Sequence, residues 1–156
     1  MASRQFVVFT IDEQEYGIEV LSVSGILRAK KFSLQKVPGL PASIEGIINL
    51  RGEVKYLCNL RNKSELAKKP IPTEGKFIML NANTSAMGWI VDEVTDIVRI
   101  EDNELENMPQ NINATENNFV ESIGKLDERL IIILNAETLS EQGSFSSLSS
   151  LPTLSA

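Results

Sequence analysis

The amino-acid sequence contains two copies of one unit, and this internal repeat limits the folds that the chain can adopt. When the sequence is shifted by 71 residues, residues 6–28 align with residues 77–99 without a gap, and six of these 23 positions are identical. After a five-residue insertion, residues 44–60 align with residues 120–136. Because order, spacing and apolar pattern are retained together, the chain is predicted to fold as two related units of roughly 65–70 residues.

Each copy is predicted to consist of short β-strands. Runs rich in Val, Ile, Phe and Tyr, such as "QFVVFTI", "YGIEV", "IEGIINL" and "EVKYLCNL", are separated by Gly, Pro, Asn and charged residues. Strands this short, without a long amphipathic helix, favour a small barrel, since closure removes their unpaired edges. A barrel of this size buries little apolar area. The two barrels are therefore expected to pack together, with a groove between them.

One segment of the first copy fits two local structures. Val20, Val23 and Ile26 recur at a spacing of three residues, which is compatible with a helical turn or with a bulged strand. Because β-branched residues dominate the segment, a bulged strand is the preferred interpretation.

The division of the chain follows the repeat. Residues 1–70 are predicted to form the first β-barrel subdomain and residues 71–141 the second, with an exchange of strands between them left open. Residues 101–118 are acidic and Asn-rich and are predicted to form a surface loop. The Ser-rich tail, residues 142–156, is expected to be disordered. The alternative is that it docks through three apolar residues, Phe145, Leu148 and Leu151.

The composition disfavours catalysis and bound cofactors. The chain has no histidine, which is the commonest general base and zinc ligand, and no glycine-rich loop with phosphate-binding spacing. The single cysteine, Cys58, lies in an apolar strand pattern and is expected to be buried rather than reactive. We therefore expect a protein that is not an enzyme and holds neither a cofactor nor a metal ion.

The charge and the apolar runs disfavour two kinds of partner. A net charge of −6 opposes binding to nucleic acid. The longest apolar runs have about six residues, whereas a helix that crosses a membrane needs roughly 20. The first residues lack the features of a signal peptide, so a cytoplasmic protein without membrane insertion is expected. Seven of the fifteen residues from Asp92 to Glu106 are acidic; the interpretation is a solvated face, with an acidic partner-facing edge as the alternative.

The segment "GIINLRGEVKYLCNL" is predicted to be a β-hairpin whose two-residue turn is Arg51-Gly52. Gly52 would supply the positive φ that such turns demand. The second copy carries Asp127 where the first has Arg51, and Ser122 and Lys125 where the first has Gly46 and Asn49, so the fold alone does not require the first copy's residues. Arg51 is either a turn residue paired locally with a glutamate or a residue that contacts a partner.

Three segments together resemble the CheW family, the coupling proteins of bacterial chemotaxis. They are "EYGIEVLSV", "VPGLPASIEGIINLRG" and "GWIVDEVTDIVRI", in this order, and the similarity covers about residues 5–140. The resemblance implies an all-β fold of two SH3-like five-stranded barrels packed together, with short helical turns. It also implies a non-catalytic adaptor that joins the cytoplasmic tips of chemoreceptors to the regulatory domain of the histidine kinase CheA, in arrays at the inner membrane.

The resemblance also implies which residues face the receptor. In this family the receptor tip lies in the groove between the barrels, and the matching positions are Arg51, Gly46, Asn49 and Gly52 on the hairpin and Val23 on the bulged segment. Val23 has a counterpart in the second copy, so a core role is the alternative. The resemblance assigns no individual residue of this sequence to kinase contact.

The sequence departs from the family pattern at three positions, and one other function is kept open. Tyr56 stands where the family usually has Pro, Asn59 where it has Asp, and Gly25 where it often has Glu. The missing Glu leaves the charge on the receptor side in question. The alternative function is a small-molecule- or peptide-binding β-barrel protein outside chemotaxis, which an apolar pocket inside one barrel would favour.

Overall fold

Eleven strands and three 3-10 turns form two sheets in the computed structural model, which describes residues 2–40, 44–59, 74–81, 87–107 and 120–136. The strands are β1 (Ser3–Ile11), β2 (Gln14–Glu19), β3 (Val23–Arg28), β4 (Ile44–Leu50), β5 (Glu53–Asn59), β6 (Lys76–Leu80), β7 (Met87–Val91), β8 (Glu93–Glu101), β9 (Leu105–Asn107), β10 (Val120–Leu126) and β11 (Arg129–Leu134). The 3-10 turns are Val20–Ser22, Ala29–Lys31 and Asp102–Glu104.

Each sheet forms a small SH3-like barrel. Barrel 1 has the strand order β3-β6-β7-β5-β4, and barrel 2 has the order β8-β1-β2-β11-β10-β9. In barrel 2 the chain leaves β8 through the turn at Asp102–Glu104 and pairs with β10 as β9. In barrel 1 the chain leaves β3 through Ala29–Lys31 and reaches β4 through a bridge between Gln35 and Ile47. The predicted pair of SH3-like five-stranded barrels is confirmed, with β9 as a short sixth strand in barrel 2.

The sheets do not follow the two sequence copies. Barrel 1 joins β3, β4 and β5 of the first copy to β6 and β7 of the second, through the β3–β6 and β5–β7 pairings. Barrel 2 joins β1 and β2 to β8–β11, through the β1–β8 and β2–β11 pairings. A division near residue 70 therefore separates the sequence copies but not the barrels, and each copy contributes strands to both.

Three clusters of buried side chains account for the apolar runs in the sequence. On β1, Phe6 and Val8 point into barrel 2, whereas Val7 and Phe9 point into a central core between the barrels. Strand β6 has the same alternation, with Phe77 pointing into barrel 1. Strands buried on both faces have near-continuous apolar sequences. Each such Phe, Ile or Leu side chain contributes about 1.5–3 kcal/mol to folding by its burial.

The central core contains an aromatic group that joins the two barrels. The Phe9 ring of β1 stacks on the Tyr16 ring of β2 at a centroid distance of 5.8 Å, and it lies 6.0 Å from the Trp89 ring of β7. Burial raises the pKa of the Tyr16 hydroxyl, and the Asp12 charge adds to this effect. Cys58 is also buried in this core, as predicted.

The bulge preferred for the segment from Val20 to Ile26 is confirmed, whereas the loop predicted for residues 101–118 needs correction. The segment from Val20 to Ile26 contains both structures that its spacing allowed, because a 3-10 turn at Val20–Ser22 precedes a bulge between Val23 and Gly25. The surface loop predicted for residues 101–118 is wrong over its first part, where a 3-10 turn and β9 form. Leu105 explains this, since it packs against the core of barrel 2. The rest of that loop and the tail 142–156 lie outside the described residues.

Candidate protein-interaction site

The hairpin of β4 and β5 turns at Arg51-Gly52, as predicted. Both residues have positive φ, 54° for Arg51 and 86° for Gly52, and such a pair of left-handed residues forms the two-residue turn that matches strand twist. The positive φ predicted for Gly52 is confirmed. Arg51 is exposed, and it forms no ion pair with the residues that the structure describes.

Asn49 and Gly46 hold this hairpin in place. The Asn49 side-chain oxygen Oδ1 accepts a hydrogen bond of 2.8 Å from the backbone N–H of Gly52. At Gly46, a Cβ atom would lie 2.5 Å from the backbone oxygen of Gln35. This close approach allows the hydrogen bonds that Gln35 and Ile47 exchange, at 2.8 and 2.9 Å. The two residues therefore fix the position from which the Arg51 side chain extends.

A surface groove of about 490 Å³ lies beside the hairpin. Its described lining comes entirely from barrel 1: Lys31, Phe32, Ser33, Gln35, Ile47, Ile48, Asn49, Gly52 and Val54. Val54 is 53% exposed, and other apolar side chains on the strands are exposed too, including Ile97 and Leu130 of barrel 2 at 59% each. The sequence reasoning missed Lys31, Phe32 and Val54. The sequence pattern at these residues was weak, because the Lys30-Lys31 pair looks like ordinary solvent-exposed charge and Phe32 lies outside any regular strand.

Val23 is separate from the hairpin. It begins β3, pairs with Leu80 of β6 and packs partly buried against the central core, and it is not among the described residues that line the groove. Leu21 precedes it on the 3-10 turn that connects the two barrels and is 80% exposed. A second groove of about 320 Å³ lies beside Leu21 in barrel 2, with Arg4 and Arg99 in its wall. The five candidate residues thus occupy two places.

Two arginines of barrel 2, Arg129 and Arg4, form ion pairs with carboxylates on neighbouring strands. Arg129 donates to both Glu15 oxygens, at 3.1 and 2.8 Å, and to both Asp96 oxygens, at 3.2 and 3.3 Å. Hydrogen bonds from Arg129, and then from Thr95, lower the pKa of the Asp96 carboxyl. Arg4 donates to Glu121 at 2.9 Å and to Glu19 at 3.1 Å.

The three departures from the family pattern have distinct environments. Tyr56 is half-buried against the central core. Asn59 is buried, and its Nδ2 donates to Glu45 Oε1 at 3.1 Å. Gly25 is half-exposed, and a Cβ there would meet no atom of the described residues within 4 Å. The site of Gly25 can therefore accept a longer side chain without rearrangement.

The described residues contain no group of three or more His, Cys, Asp or Glu residues placed to hold a metal ion. No helix among them is long and apolar enough to cross a membrane. The barrel interiors are occupied by the side chains of two of the buried clusters. The grooves described above lie on the outside of the barrels and are open to solvent.

Two pseudo-symmetric SH3-like barrels with open surface grooves define the class of small double-barrel interaction proteins. The family model described as the CheW-like domain matches residues 5–143. The protein belongs to the CheW family.

Relatives support this assignment along most of the chain. The chemotaxis protein CheW of Bacillus subtilis is 32% identical over 140 residues, which cover 90% of this chain and 88% of the relative. CheW of Helicobacter pylori is 30% identical over 135 residues, which cover 86% and 80%. The crystal structure of the scaffolding protein TtCheW from Thermoanaerobacter tengcongensis matches with a TM-score of 0.79 at 31% identity, over 90% of this chain and 94% of that one. The predicted family is confirmed.

Proposed function

We propose that this protein is a non-catalytic scaffold that couples transmembrane chemoreceptors to the histidine kinase CheA. Its membership of the CheW family, across residues 5–143, is the observation that carries the proposal. In this function the protein binds the regulatory domain of the kinase and the cytoplasmic tip of a receptor, and it resides in the cytoplasm at receptor arrays. Both activities are protein contacts, so no reaction is assigned to the chain.

The hairpin is the proposed receptor site. Arg51 presents a guanidinium group with several hydrogen-bond donors, and Asn49, Gly46 and Gly52 hold the turn that carries it. Val23 is proposed as a second receptor contact, supported by the exposed Leu21 beside it. Because the two places are separate, the receptor tip would have to reach from the hairpin of barrel 1 to the turn between the barrels.

The alternative function, a β-barrel protein outside chemotaxis that binds a small molecule or a peptide inside one barrel, has less support. Pockets for small ligands are concave and enclose most of the ligand, whereas the barrel interiors here are filled by Ile48, Leu57 and Phe77 in one and Phe6 and Ile131 in the other. The groove beside the hairpin is open to solvent, which suits a protein surface better.

Size-exclusion chromatography of the chain mixed with the regulatory domain of a CheA kinase from the same organism tests the kinase half of this proposal. A co-eluting complex at concentrations of roughly tens of micromolar is expected, since signalling contacts are often of modest area and affinity. A cytoplasmic fragment of a receptor from that organism tests the other half by calorimetric titration. Absence of both complexes would overturn the proposed function and favour the ligand-binding alternative.

A further inference from the structure

Charge is distributed unequally between the two barrels. The described residues of barrel 1 include seven basic and three acidic side chains, whereas those of barrel 2 include four basic and fourteen acidic ones. The net charge of −6 for the whole chain conceals this asymmetry. Because the two barrels carry electrostatic potentials of opposite sign, each attracts partner surfaces of the opposite charge.

The asymmetry is sharpest at equivalent positions of the repeat. Lys30, Lys31 and Arg51 of barrel 1 align with Glu101, Asp102 and Asp127 of barrel 2. The backbone is the same where it can be compared directly, since Arg51 and Asp127 have φ values of 54° and 56°. The hairpin turn therefore carries opposite charge in the two barrels, and local folding requirements do not explain the difference.

The two basic groups beside the groove have no carboxylate partner among the described residues. Among the described residues, neither Lys31 nor Arg51 forms an ion pair, although Lys30 pairs with Glu74 at 3.3 Å. In barrel 2, three of the four described basic side chains, Arg4, Lys125 and Arg129, are paired with carboxylates. Unpaired positive charge thus lies next to the exposed apolar side chain of Val54 and the half-buried ring of Phe32.

We propose that the groove of barrel 1 binds an acidic protein surface that inserts an apolar side chain between Phe32 and Val54, with Lys31 and Arg51 pairing its carboxylates. Asp102 and Asp127 exclude the same surface from the equivalent place on barrel 2, because like charges held together are repulsive. This inference rests on the proposed function, because it takes the receptor tip as the partner. It adds the charge pairing by which the receptor tip would bind barrel 1 and not barrel 2.

An exchange of charges between the copies tests the inference in the full chain. The variant Lys31→Asp/Arg51→Asp carries in barrel 1 the residues that barrel 2 already has, so the turn keeps a residue type that tolerates its conformation. The matched control is Asp102→Lys/Asp127→Arg. Affinity for the receptor fragment is expected to fall roughly tenfold or more in the first variant, and the salt dependence of binding should shrink with it. The control should retain its affinity at the groove.

The outcomes separate this inference from the proposed function. A wild-type chain that binds neither the receptor fragment nor the kinase domain overturns the function, whereas equal binding by wild type and Lys31→Asp/Arg51→Asp overturns the inference alone. Titration of a peptide of alternating Glu and Leu residues, followed by NMR, tests the groove without either partner. Shifts confined to residues around Lys31 and Val54 support it; shifts on barrel 2, no shifts, or equally strong binding of duplex DNA overturn it.

Discussion

Arg51 and Asp127 occupy equivalent turns of the two hairpins with nearly the same left-handed backbone, at φ values of 54° and 56°. Residues other than glycine adopt this conformation at a cost of about 1 kcal/mol or more. Neither charge is needed to form the turn, because both are found there. The side chain at this place is therefore free to be selected by what lies outside the molecule.

Arg51→Gly is the sharpest single test of the hairpin. Glycine accepts the positive φ without strain, so the free energy of unfolding should be unchanged or higher by up to about 1 kcal/mol, while affinity for the receptor fragment should fall. Thermal unfolding and calorimetric titration measure the two effects. Asp127→Gly is the control, with the same stability gain and no loss of affinity. A loss of cooperative unfolding in Arg51→Gly would show that Arg51 is structural.

Gly46→Ala should destabilise the protein by about 1–3 kcal/mol, a usual cost of overpacking. The added Cβ would lie 2.5 Å from the Gln35 backbone oxygen and would push that segment from β4. Denaturant unfolding measures the change. Gly25→Ala is the matched control, because none of the residues that the structure describes lies within 4 Å of its Cβ position. Equal effects of the two substitutions would contradict the close packing of Gln35 on β4.

Ser122→Ala should raise the free energy of unfolding by roughly 1 kcal/mol. Ser122 is buried at the position equivalent to Gly46, and its hydroxyl oxygen has no hydrogen-bond partner among the described residues. A buried hydroxyl without a partner costs about 1–3 kcal/mol. The substitution removes the polar atom and little else. Ser33→Ala, at an exposed position, should leave stability unchanged. A destabilised Ser122→Ala protein would mean that the hydroxyl is hydrogen-bonded, for instance to a water molecule.

Asp96→Asn should weaken the acid dependence of stability. The Asp96 pKa lies below its ordinary value of 3.8, first because Arg129 donates hydrogen bonds to the carboxylate and then because Thr95 does. A lowered pKa in the folded state stabilises the protein above the unfolded pKa, and this contribution is lost as the pH falls through the folded value. Urea unfolding from about pH 6 to about pH 2 measures it. The advantage of wild type over Asp96→Asn should shrink below about pH 4; a constant difference would refute the pairing.

The sequence predicted the strands and the turn but not the pairing of strands between copies. Apolar runs and the Arg51-Gly52 pair specify local structure, because alternation and positive φ depend on neighbouring residues. Which strand lies beside β2 depends instead on packing across more than a hundred residues, as Gly17 against Ile133 demonstrates. The three-residue spacing at Val20–Ile26 could not separate a turn from a bulge, because the chain forms both there.

The site was predicted in part for a related reason. Gly46, Asn49, Arg51 and Gly52 lie in one sequence motif, so a comparison with the second copy could single them out. Lys31, Phe32 and Val54 become one surface only when the chain after β3 returns to β4 through the Gln35 bridge. Contacts of that kind leave no periodic signal in a single sequence.

The exchange of strands between the copies also sets an order for synthesis of the chain. The described strands of barrel 1 lie between residues 23 and 91, whereas barrel 2 needs β1 and β2 together with strands that end at residue 134. On the ribosome, barrel 1 can close while barrel 2 still lacks β8 to β11. The apolar faces of β1 and β2 stay incompletely covered until those strands have been synthesised. The first strands to be translated are thus the last to find all their neighbours.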